Sequence, residues 1–448
     1  GLVVMNGNNM KPSSEWTDAR QAIEWIHSLA PFGIKLGLER MEWMLERLGH
    51  PERRLKCVHI GGTNGKGSTL SFMAHVLQQA GYTVGTFTSP YLIRFQNRIQ
   101  INGEDIADED LLKAAAKIKP LVDELSTTEW GSPTEFEVVT AMALSYFADV
   151  AYPDLVLMEV GLGGAADSTN VIVPLVSVIT NVGYDHTHIL GAHLADIAAE
   201  KAGIIKAGVP VVTGVKDPVA LDVIKRKANE KKASLYVIDD FFRLHLDQPQ
   251  TFSFHSVFTH WKKLKISLQG DHQAENAGVA LMALEILKQY YHVWWEEDDL
   301  RRGLAETVWP GRLETVSQHP LTILDGAHNP QGMQALARAI RQYYDAKPVT
   351  LVFCTMQDKN TLEMLQPLQG CIDRLILTEI PFPRVKPARD IFDEIKDVVS
   401  SGWGIDIRVE TNGQAGYRSL AQDVAQENGV LIFAGSLYFI AEVRRHLL

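Results

Sequence analysis

Residues 59–69, HIGGTNGKGST, constrain the fold more than any other stretch of the sequence. The short apolar run at residues 56–60 predicts a buried strand, and helical spacing follows at residues 68–81. Glycines at a strand-to-helix junction let backbone N–H groups converge on one point, where the helix dipole also favours an anion. The motif therefore predicts a phosphate site in an α/β protein, with a plain glycine-rich turn as the simpler alternative.

The motif departs in two places from the common P-loop pattern G-x-x-x-x-G-K-[ST]. Ile60 stands where the first glycine belongs, and Gly67 separates Lys66 from Ser68. Lys66 can still reach terminal phosphates, and Ser68 or Thr69 can supply an oxygen ligand to Mg²⁺. The sequence therefore predicts a variant of the P-loop.

Strand-like runs alternate with helical patterns along most of the chain, which is typical of a parallel sheet with helices on both faces. In the first part, strands are predicted at residues 56–60, 83–88, 154–160, 175–180 and 209–213, and helices at 68–81, 135–151, 192–208 and 272–287. Period-two alternation at residues 241–270 predicts antiparallel hairpins at an edge of this sheet.

A second alternating series follows the Pro and Gly of VWPGRLETV, residues 308–316, which mark a boundary. Its strands are predicted at residues 321–327, 349–355, 374–380, 404–410 and 429–435. We expect an α/β chain of two domains. Residues 1–308 would form a P-loop-containing parallel-sheet domain with an antiparallel edge, and residues 309–448 a smaller doubly wound, Rossmann-like domain.

Composition is that of an ordinary globular protein and argues against several classes of partner. The three cysteines show no paired or metal-ligand spacing, and the net charge of −11 disfavours nucleic acid. No apolar run is long enough to span a bilayer, and the first ten residues lack the features of a signal peptide. We expect a cytoplasmic monomer without a nucleic-acid or membrane partner.

Three motifs of the first domain carry candidate functional side chains, and each has an ordinary structural alternative. Glu159 ends a buried strand, where a carboxylate must be paired or bind a metal; a salt bridge at the sheet rim would serve equally. Asp185, His186 and His188 offer metal ligands after the next strand, yet most histidines are not ligands. Lys201 lies on a helix among small and apolar residues, where a surface lysine is the simpler interpretation.

The second domain has one such motif, LDGAHNP at residues 324–330. It ends a strand with Asp325 and His328 and enters a helix with Asn329 as a plausible cap. An ordinary strand-to-helix turn is the alternative.

Together these motifs resemble those of one known family. GTNGKGST, TSPYL, EVGLGG, DSTNV, DHTHILG, EKAGI, GDHQAENA, WPGRLE, LDGAHNP and GSLYFI occur in the order found in folylpolyglutamate synthases and dihydrofolate synthases, which are members of the Mur-ligase superfamily. The resemblance spans both domains, from about residue 34 to the C-terminus, and includes the extra glycine of the P-loop variant.

The resemblance implies an ATP-dependent amide ligase. The γ-phosphate of ATP would pass to a carboxylate of a folate, and the amine of L-glutamate would attack the acyl phosphate, releasing phosphate and ADP. Such chemistry depends on positioning and charge neutralisation, which suits a site rich in glycine turns and metal ligands. ATP, L-glutamate and a reduced folate are the implied small-molecule partners, and whether dihydropteroate also serves as acceptor stays open.

The resemblance also implies roles for individual residues of the two domains. The ATP-binding residues would be Gly62, Thr63, Asn64, Gly65, Lys66, Gly67, Ser68, Asn276, Arg312 and Asp325. The Mg²⁺ ligands, for two expected ions, would include Ser89, Glu159 and His186. The folate-binding residues would be Ile34, Lys35, Leu36, Phe136 and Asp167. The catalytic residues would be Lys66, His328 and Lys201, the last carrying a carbamate.

One departure from the family pattern bears on catalysis. Ala165 and Ala166 stand where a basic and then a bulky apolar residue are usual, so a fork-shaped donor for a carboxylate or phosphate is missing. A nucleotide-dependent binding module with weak catalysis therefore stays open as an alternative. A Mur ligase acting on nucleotide-linked peptides is a second alternative, because it runs the same chemistry.

Overall fold

An eight-stranded sheet organises the first part of the chain in the computed structural model, which describes residues 12–30, 37–89, 95–184, 193–308 and 313–447. The strand order is β4-β3-β2-β5-β1-β6-β7-β8, and the six strands from β2 to β8 are parallel. The strands are β1 (Cys57–Gly61), β2 (Val84–Phe87), β3 (Ile99–Ile101), β4 (Glu104–Asp105), β5 (Leu155–Glu159), β6 (Val176–Ile179), β7 (Val211–Thr213) and β8 (Leu235–Val237). The predicted parallel sheet is confirmed.

Helices cover both faces of this sheet. Side chains alternate between the two faces along each strand, so each strand contributes to the core on both sides. Leu155 and Leu157 belong to one core cluster, whereas Val156 and Met158 belong to another. Helices of the first domain are α1 (Ala19–His27), α2 (Glu39–Arg47), α3 (Lys66–Gln79), α4 (Asp108–Leu125), α5 (Glu135–Tyr146), α6 (Leu194–Ala202), α7 (Pro218–Glu230), α8 (Asp271–Tyr291) and α9 (Glu297–Glu306). The first cluster packs under α3, α8 and α9, and the second under α1, α2, α4 and α5.

Residues 241–270 do not form the antiparallel edge of the large sheet, so this part of the prediction is wrong. Strands β3 and β4 form that edge beside β2. The alternating segment instead forms a separate three-stranded antiparallel sheet of β9 (Phe242–Gln248), β10 (Thr251–Ser256) and β11 (His260–Lys265). Its buried side chains, among them Phe252, Phe254 and Leu264, join the core under α8.

A six-stranded sheet organises the second part of the chain, in the order β12-β13-β17-β14-β15-β16. Its strands are β12 (Glu314–Gln318), β13 (Leu321–Leu324), β14 (Val349–Phe353), β15 (Arg374–Leu377), β16 (Asp406–Val409) and β17 (Val430–Ala434). Its helices are α10 (Pro330–Tyr343), α11 (Thr361–Leu365), α12 (Ala388–Asp397), α13 (Gln414–Gln426) and α14 (Leu437–Leu447). Only β12 runs antiparallel to its neighbour, so the predicted doubly wound second sheet is also confirmed.

Short 3₁₀ and π segments complete the regular structure at Ser13–Glu15, Pro51–Arg54, Phe95–Arg98, Phe147–Ala151, Gln366–Leu368 and Val398–Trp403. Within the described ranges, each helix is too short or too polar to cross a bilayer.

The two sheets present their carboxyl-terminal edges to a common interface. In the first sheet, β5, β1 and β6 are neighbours, so the loops after them meet at one edge. In the second sheet, β13, β17 and β14 are neighbours in the same way. Ligands of open α/β sheets bind at such edges, so these six loops are where a site is expected.

Candidate functional site

The P-loop variant joins β1 to α3 through a glycine turn that only glycine can adopt easily. Gly62 and Gly65 have φ values of 132° and 78°, in the left-handed region. A methyl group at Gly62 would also collide with the side chain and backbone of Thr180, and one at Gly65 with the amide of Asn276. Both glycines are therefore required by conformation and by close approach. The turn ends at Lys66, the first residue of α3.

The segment after β6 holds the P-loop in place. Asn181 accepts a hydrogen bond from Thr63 N at 3.1 Å through its carbonyl and one from Asn64 N at 2.8 Å through Oδ1. The Thr63 hydroxyl donates to the Gly183 carbonyl at 3.1 Å and accepts from Gly183 N at 2.8 Å. These contacts within the protein fix the loop backbone, which preorganises its shape.

One cleft, termed the first cleft, lies beside the P-loop between the two domains. Ser68 and Asn276, both predicted to bind ATP, line it together with Asp325 from the second domain. Gln273 connects them, because its Nε2 donates to Ser68 Oγ at 3.2 Å and its Oε1 accepts from Asn276 Nδ2 at 3.1 Å. Sequence reasoning did not single out Gln273, although it lies in the quoted motif GDHQAENA.

Asp325 is held where β13 ends. Its Oδ1 accepts from Ala327 N at 2.8 Å, and its Oδ2 accepts from Leu313 N at 3.1 Å. Only 7 % of its surface is exposed, so backbone donors stabilise the carboxylate in place. His328 follows, with Nδ1 at 3.0 Å from the Gly326 carbonyl oxygen, which favours the Nδ1–H tautomer.

A second cleft adjoins the P-loop and gathers most of the predicted catalytic and metal residues. Lys66, Ser89, Glu159, Lys201 and His328 all line it. The backbone N of Ser89 donates to Glu159 Oε2 at 3.1 Å, and Lys66 Nζ donates to the carbonyl of the residue after Glu159 at 3.1 Å. The structure therefore brings together groups from five separate segments of the chain.

The described residues of this cleft include oxygen donors for a metal ion. In the part of the chain that the structure describes, no three His, Cys, Asp or Glu side chains are grouped closely enough to hold a metal ion. Glu159 and Ser89 supply oxygen atoms, the ligand type that Mg²⁺ prefers, and Mg²⁺ commonly completes its coordination with phosphate and water. The donor set therefore fits Mg²⁺ bound together with a phosphate ligand.

Lys201 is buried, with 3 % of its surface exposed, so the surface-lysine alternative is wrong. Glu200, the residue before it, accepts hydrogen bonds from the backbone of the loop after β5. Ala165 N donates to the Glu200 carbonyl at 2.8 Å, and Ala166 N donates to Glu200 Oε1 at 3.0 Å. The two alanines therefore belong to the contact that holds Lys201 beside the cleft.

A buried chain of hydrogen bonds supports the loop after β5. Asp167 Oδ1 accepts from Leu162 N at 2.8 Å, and the Thr169 hydroxyl donates to Asp167 Oδ2. That hydroxyl in turn lies 2.7 Å from His59 Nε2, which must therefore be the donor. Burial, and to a smaller extent the charge of Lys206, lowers the pKa of His59 to about 3.

Two predicted folate contacts are buried rather than exposed. Phe136 is 2 % exposed and packs with its ring centroid 5.9 Å from that of Phe87, and Asp167 is 4 % exposed. Burial also raises the pKa of the Asp167 carboxyl, against the effect of the hydrogen bonds from Thr169 and Leu162. The remaining predicted positions Ile34, Lys35, Leu36, His186 and Arg312 lie outside the described residues.

The second domain contributes cleft residues that were given no role from their motifs, although Ser436 lies in the motif GSLYFI. Lys359, Arg384 and Ser436 line the second cleft opposite the P-loop. Lys359 and Ser436 follow β14 and β17, so the rule that ligands bind at the ends of parallel strands could have indicated them. Arg384 follows a longer connection after β15, and nothing in its local sequence marks it.

Comparison with known proteins agrees with this geometry. Residues 60–284 match the Mur ligase middle domain, and residues 311–437 match the Mur ligase glutamate ligase domain. A dihydrofolate synthase/folylpolyglutamate synthase from Bacillus subtilis is 40 % identical over 96 % of this chain and 100 % of its own length.

Solved structures show the same architecture. A folylpolyglutamate synthase from Mycobacterium tuberculosis complexed with ADP and AMPPCP has a TM-score of 0.88 and 29 % identity, covering 96 % of this chain and 99 % of its own. An FPGS–AMPPCP–folate complex has a TM-score of 0.82 and 33 % identity, covering 96 % of this chain and 100 % of its own. The chain belongs to the Mur ligases and, among them, to the family of folylpolyglutamate and dihydrofolate synthases.

Proposed function

We propose that the protein is an ATP-dependent ligase that adds L-glutamate to a folate through an acyl phosphate. The observation that carries this proposal is the second cleft, where Lys66, Glu159 and Lys201 of the first domain lie opposite His328 and Lys359 of the second. An acyl phosphate needs a phosphate-binding half and a half that brings the attacking amine, and we assign these roles to the two sides of the cleft. The relatives named above support the same reaction class.

The P-loop and the first cleft would hold ATP. Gly62, Thr63, Asn64, Gly65, Lys66, Gly67 and Ser68 would hold the phosphates. Backbone N–H groups of the turn and the N-terminus of α3 favour the anion, and Lys66 adds a point charge that can follow the transferred phosphoryl group. Asn276, Asp325 and Arg312 would hold the rest of the nucleotide across the domain interface.

Ser89, Glu159 and His186 would hold Mg²⁺, for which we propose two ions. When bound, Mg²⁺ neutralises charge on phosphate oxygens during transfer. The task of the chain itself is to keep the buried Glu159 carboxylate fixed, which the backbone N–H of Ser89 does at 3.1 Å. Ile34, Lys35, Leu36, Phe136 and Asp167 would form the folate side, with Phe136 and Asp167 supporting it from beneath its surface.

Lys201 would carry a carbamate. Burial favours the neutral amine, which can attack CO₂ to form N–CO₂⁻ with loss of one proton to solvent. A carbamate presents oxygen atoms with negative charge to the second cleft, where an ammonium group would instead repel Mg²⁺. The 3 % exposure of Lys201 beside Glu159 is the support for this modification.

Lys359 and Arg384 would receive the two carboxylates of glutamate, because a cation lowers the cost of bringing a carboxylate into a cleft. His328, between the P-loop and these cations, would lie near the transferred phosphate. Positioning the amine for attack is then the main contribution of the second domain.

Phosphate release in the presence of ATP, Mg²⁺, tetrahydrofolate and L-glutamate tests the proposal. Release that requires both folate and glutamate supports a folate ligase, and product mass then distinguishes addition to a folate from addition to dihydropteroate. Release that requires neither would support the binding-module alternative, and release only with nucleotide-linked peptides would support a Mur peptide ligase. Lys66→Ala serves as the inactive control.

A further inference from the structure

The first turn of α10 contacts the P-loop directly. Asn329 Nδ2 donates to Asn64 Oδ1 at 3.0 Å, across the interface between the domains. The other atom of the same amide, Asn329 Oδ1, accepts from Gly332 N at 2.8 Å and caps α10. A single buried side chain, 1 % exposed, therefore fixes both the start of the helix and its place against the loop.

A second side chain on the same turn contacts the segment that holds the P-loop. With its amide oriented to match donors with acceptors, Gln331 donates to the Tyr184 carbonyl at 3.1 Å and accepts from Tyr184 N at 2.9 Å. Gly183 makes this approach possible, because a methyl group there would lie 2.7 Å from the Gln331 amide. The Gln331 amide thus pairs with both backbone groups of Tyr184, as the backbone of a neighbouring strand would.

These contacts form a closed ring of hydrogen bonds next to His328. Gln331 binds Tyr184, the adjacent Gly183 binds Thr63 through two hydrogen bonds, and Asn64 binds Asn329. His328 immediately precedes Asn329 and is three residues before Gln331, so the segment that follows His328 is fixed to the first domain at two points. Its distance to the P-loop is thereby set by two contacts outside the second cleft itself.

We propose that Asn329 and Gln331 act as positioning residues that hold His328, and with it the second domain, in register with the P-loop during ligation. This inference rests on the proposed ligase function. Gln331 contributes by pairing with the Tyr184 backbone, and Asn329 by pairing with Asn64, so nucleotide phosphates and second-domain groups are kept in one rigid arrangement. Misplacement of about 1 Å can cost roughly a hundredfold in rate, so loss of one contact is measurable.

Two substitutions disrupt the Gln331 contact from opposite sides. Gln331→Leu removes both hydrogen bonds while keeping a helical side chain, and Gly183→Ala inserts a methyl group against the amide. We expect each to lower kcat for folate-dependent phosphate release by about tenfold or more, with an unchanged melting temperature. The double variant should be no slower than the slower single variant, because both changes break one contact. Gln342→Leu, on the exposed part of the same helix, is the matched control and should keep the parental kcat.

Hydrogen exchange at the Tyr184 amide gives a readout that does not depend on activity. Gln331→Leu should speed this exchange, because the N–H loses its acceptor, whereas Gln342→Leu should not. A parent without folate-dependent phosphate release would refute the ligase function while exchange still reports the contact. Unchanged exchange, a kcat within twofold of the parent, or losses that multiply in the double variant would each overturn the proposal.

Discussion

Replacing His59 by Gln should reduce the dependence of folding stability on pH. His59 donates through Nε2 to Thr169, and its Nδ1 is buried with no hydrogen-bond partner, so a second ring proton has no acceptor. Its pKa is lowered to about 3 in the folded chain, from an ordinary value of 6.5. As the pH falls below 6.5 the unfolded chain takes up a proton that the folded chain refuses, and the parent loses stability until about pH 3 is reached. Lowering the pH from about 7 to about 4.5 therefore reduces the free energy of unfolding of the parent by about 2.5 kcal/mol through this one group.

Urea denaturation of the parent and of His59→Gln at several pH values measures this difference. Glutamine can still donate to Thr169 but does not titrate, so the variant should lose about 2.5 kcal/mol less than the parent over that range. The gap between the two proteins should change by roughly 1.4 kcal/mol per pH unit in the middle of the window. A gap that stays constant with pH would refute the assignment of a neutral, buried His59.

Other expected outcomes concern the second cleft. Lys66→Ala should lower kcat by roughly 150-fold, equivalent to about 3 kcal/mol of transition-state stabilisation, with an unchanged melting curve; activity within a few-fold of the parent would contradict the phosphate role. Stripping CO₂ and bicarbonate should lower the activity of the parent reversibly by about tenfold or more, and acetate should partly restore Lys201→Ala; insensitivity to bicarbonate would exclude the carbamate. Lys359→Ala should raise the KM for glutamate by roughly 30-fold, for about 2 kcal/mol of charge-assisted binding, and Lys359→Arg should recover most of it; an effect on the KM for ATP alone would reassign the residue.

The buried strands of both sheets could be predicted because parallel strands covered on both faces are continuous apolar runs. β5 and β14 are buried throughout and are apolar except for Glu159 at the end of β5 and Thr350 in β14. β3 and β4 could not be predicted, because strands of two or three residues are too short to show a period. The alternation at residues 241–270 correctly predicted hairpins. Their position outside the large sheet could not be predicted, because it depends on tertiary contacts with α8.

The candidate site was predictable where a residue belongs to a motif with its own chemistry, as Lys66 and Glu159 do. Gln273 and Asn181 were not, because amide side chains are common everywhere and only tertiary contacts select these two. The burial of Lys201 likewise depends on the loop after β5 crossing over α6 at Gly164, which lies against the backbone of Glu200 and Lys201. The domain boundary after residue 308 stays a prediction.

The division of the second cleft between two sheets has a consequence for ATP hydrolysis that is not coupled to ligation. The P-loop and Glu159 lie on one domain, whereas His328 and Lys359 lie on the other, so neither domain alone has all the charges that surround the cleft. A separation of the domains would admit water to a bound nucleotide and would at the same time withdraw half of those charges. The split would thereby protect ATP while the domains are apart, and would tie turnover to closure over both substrates.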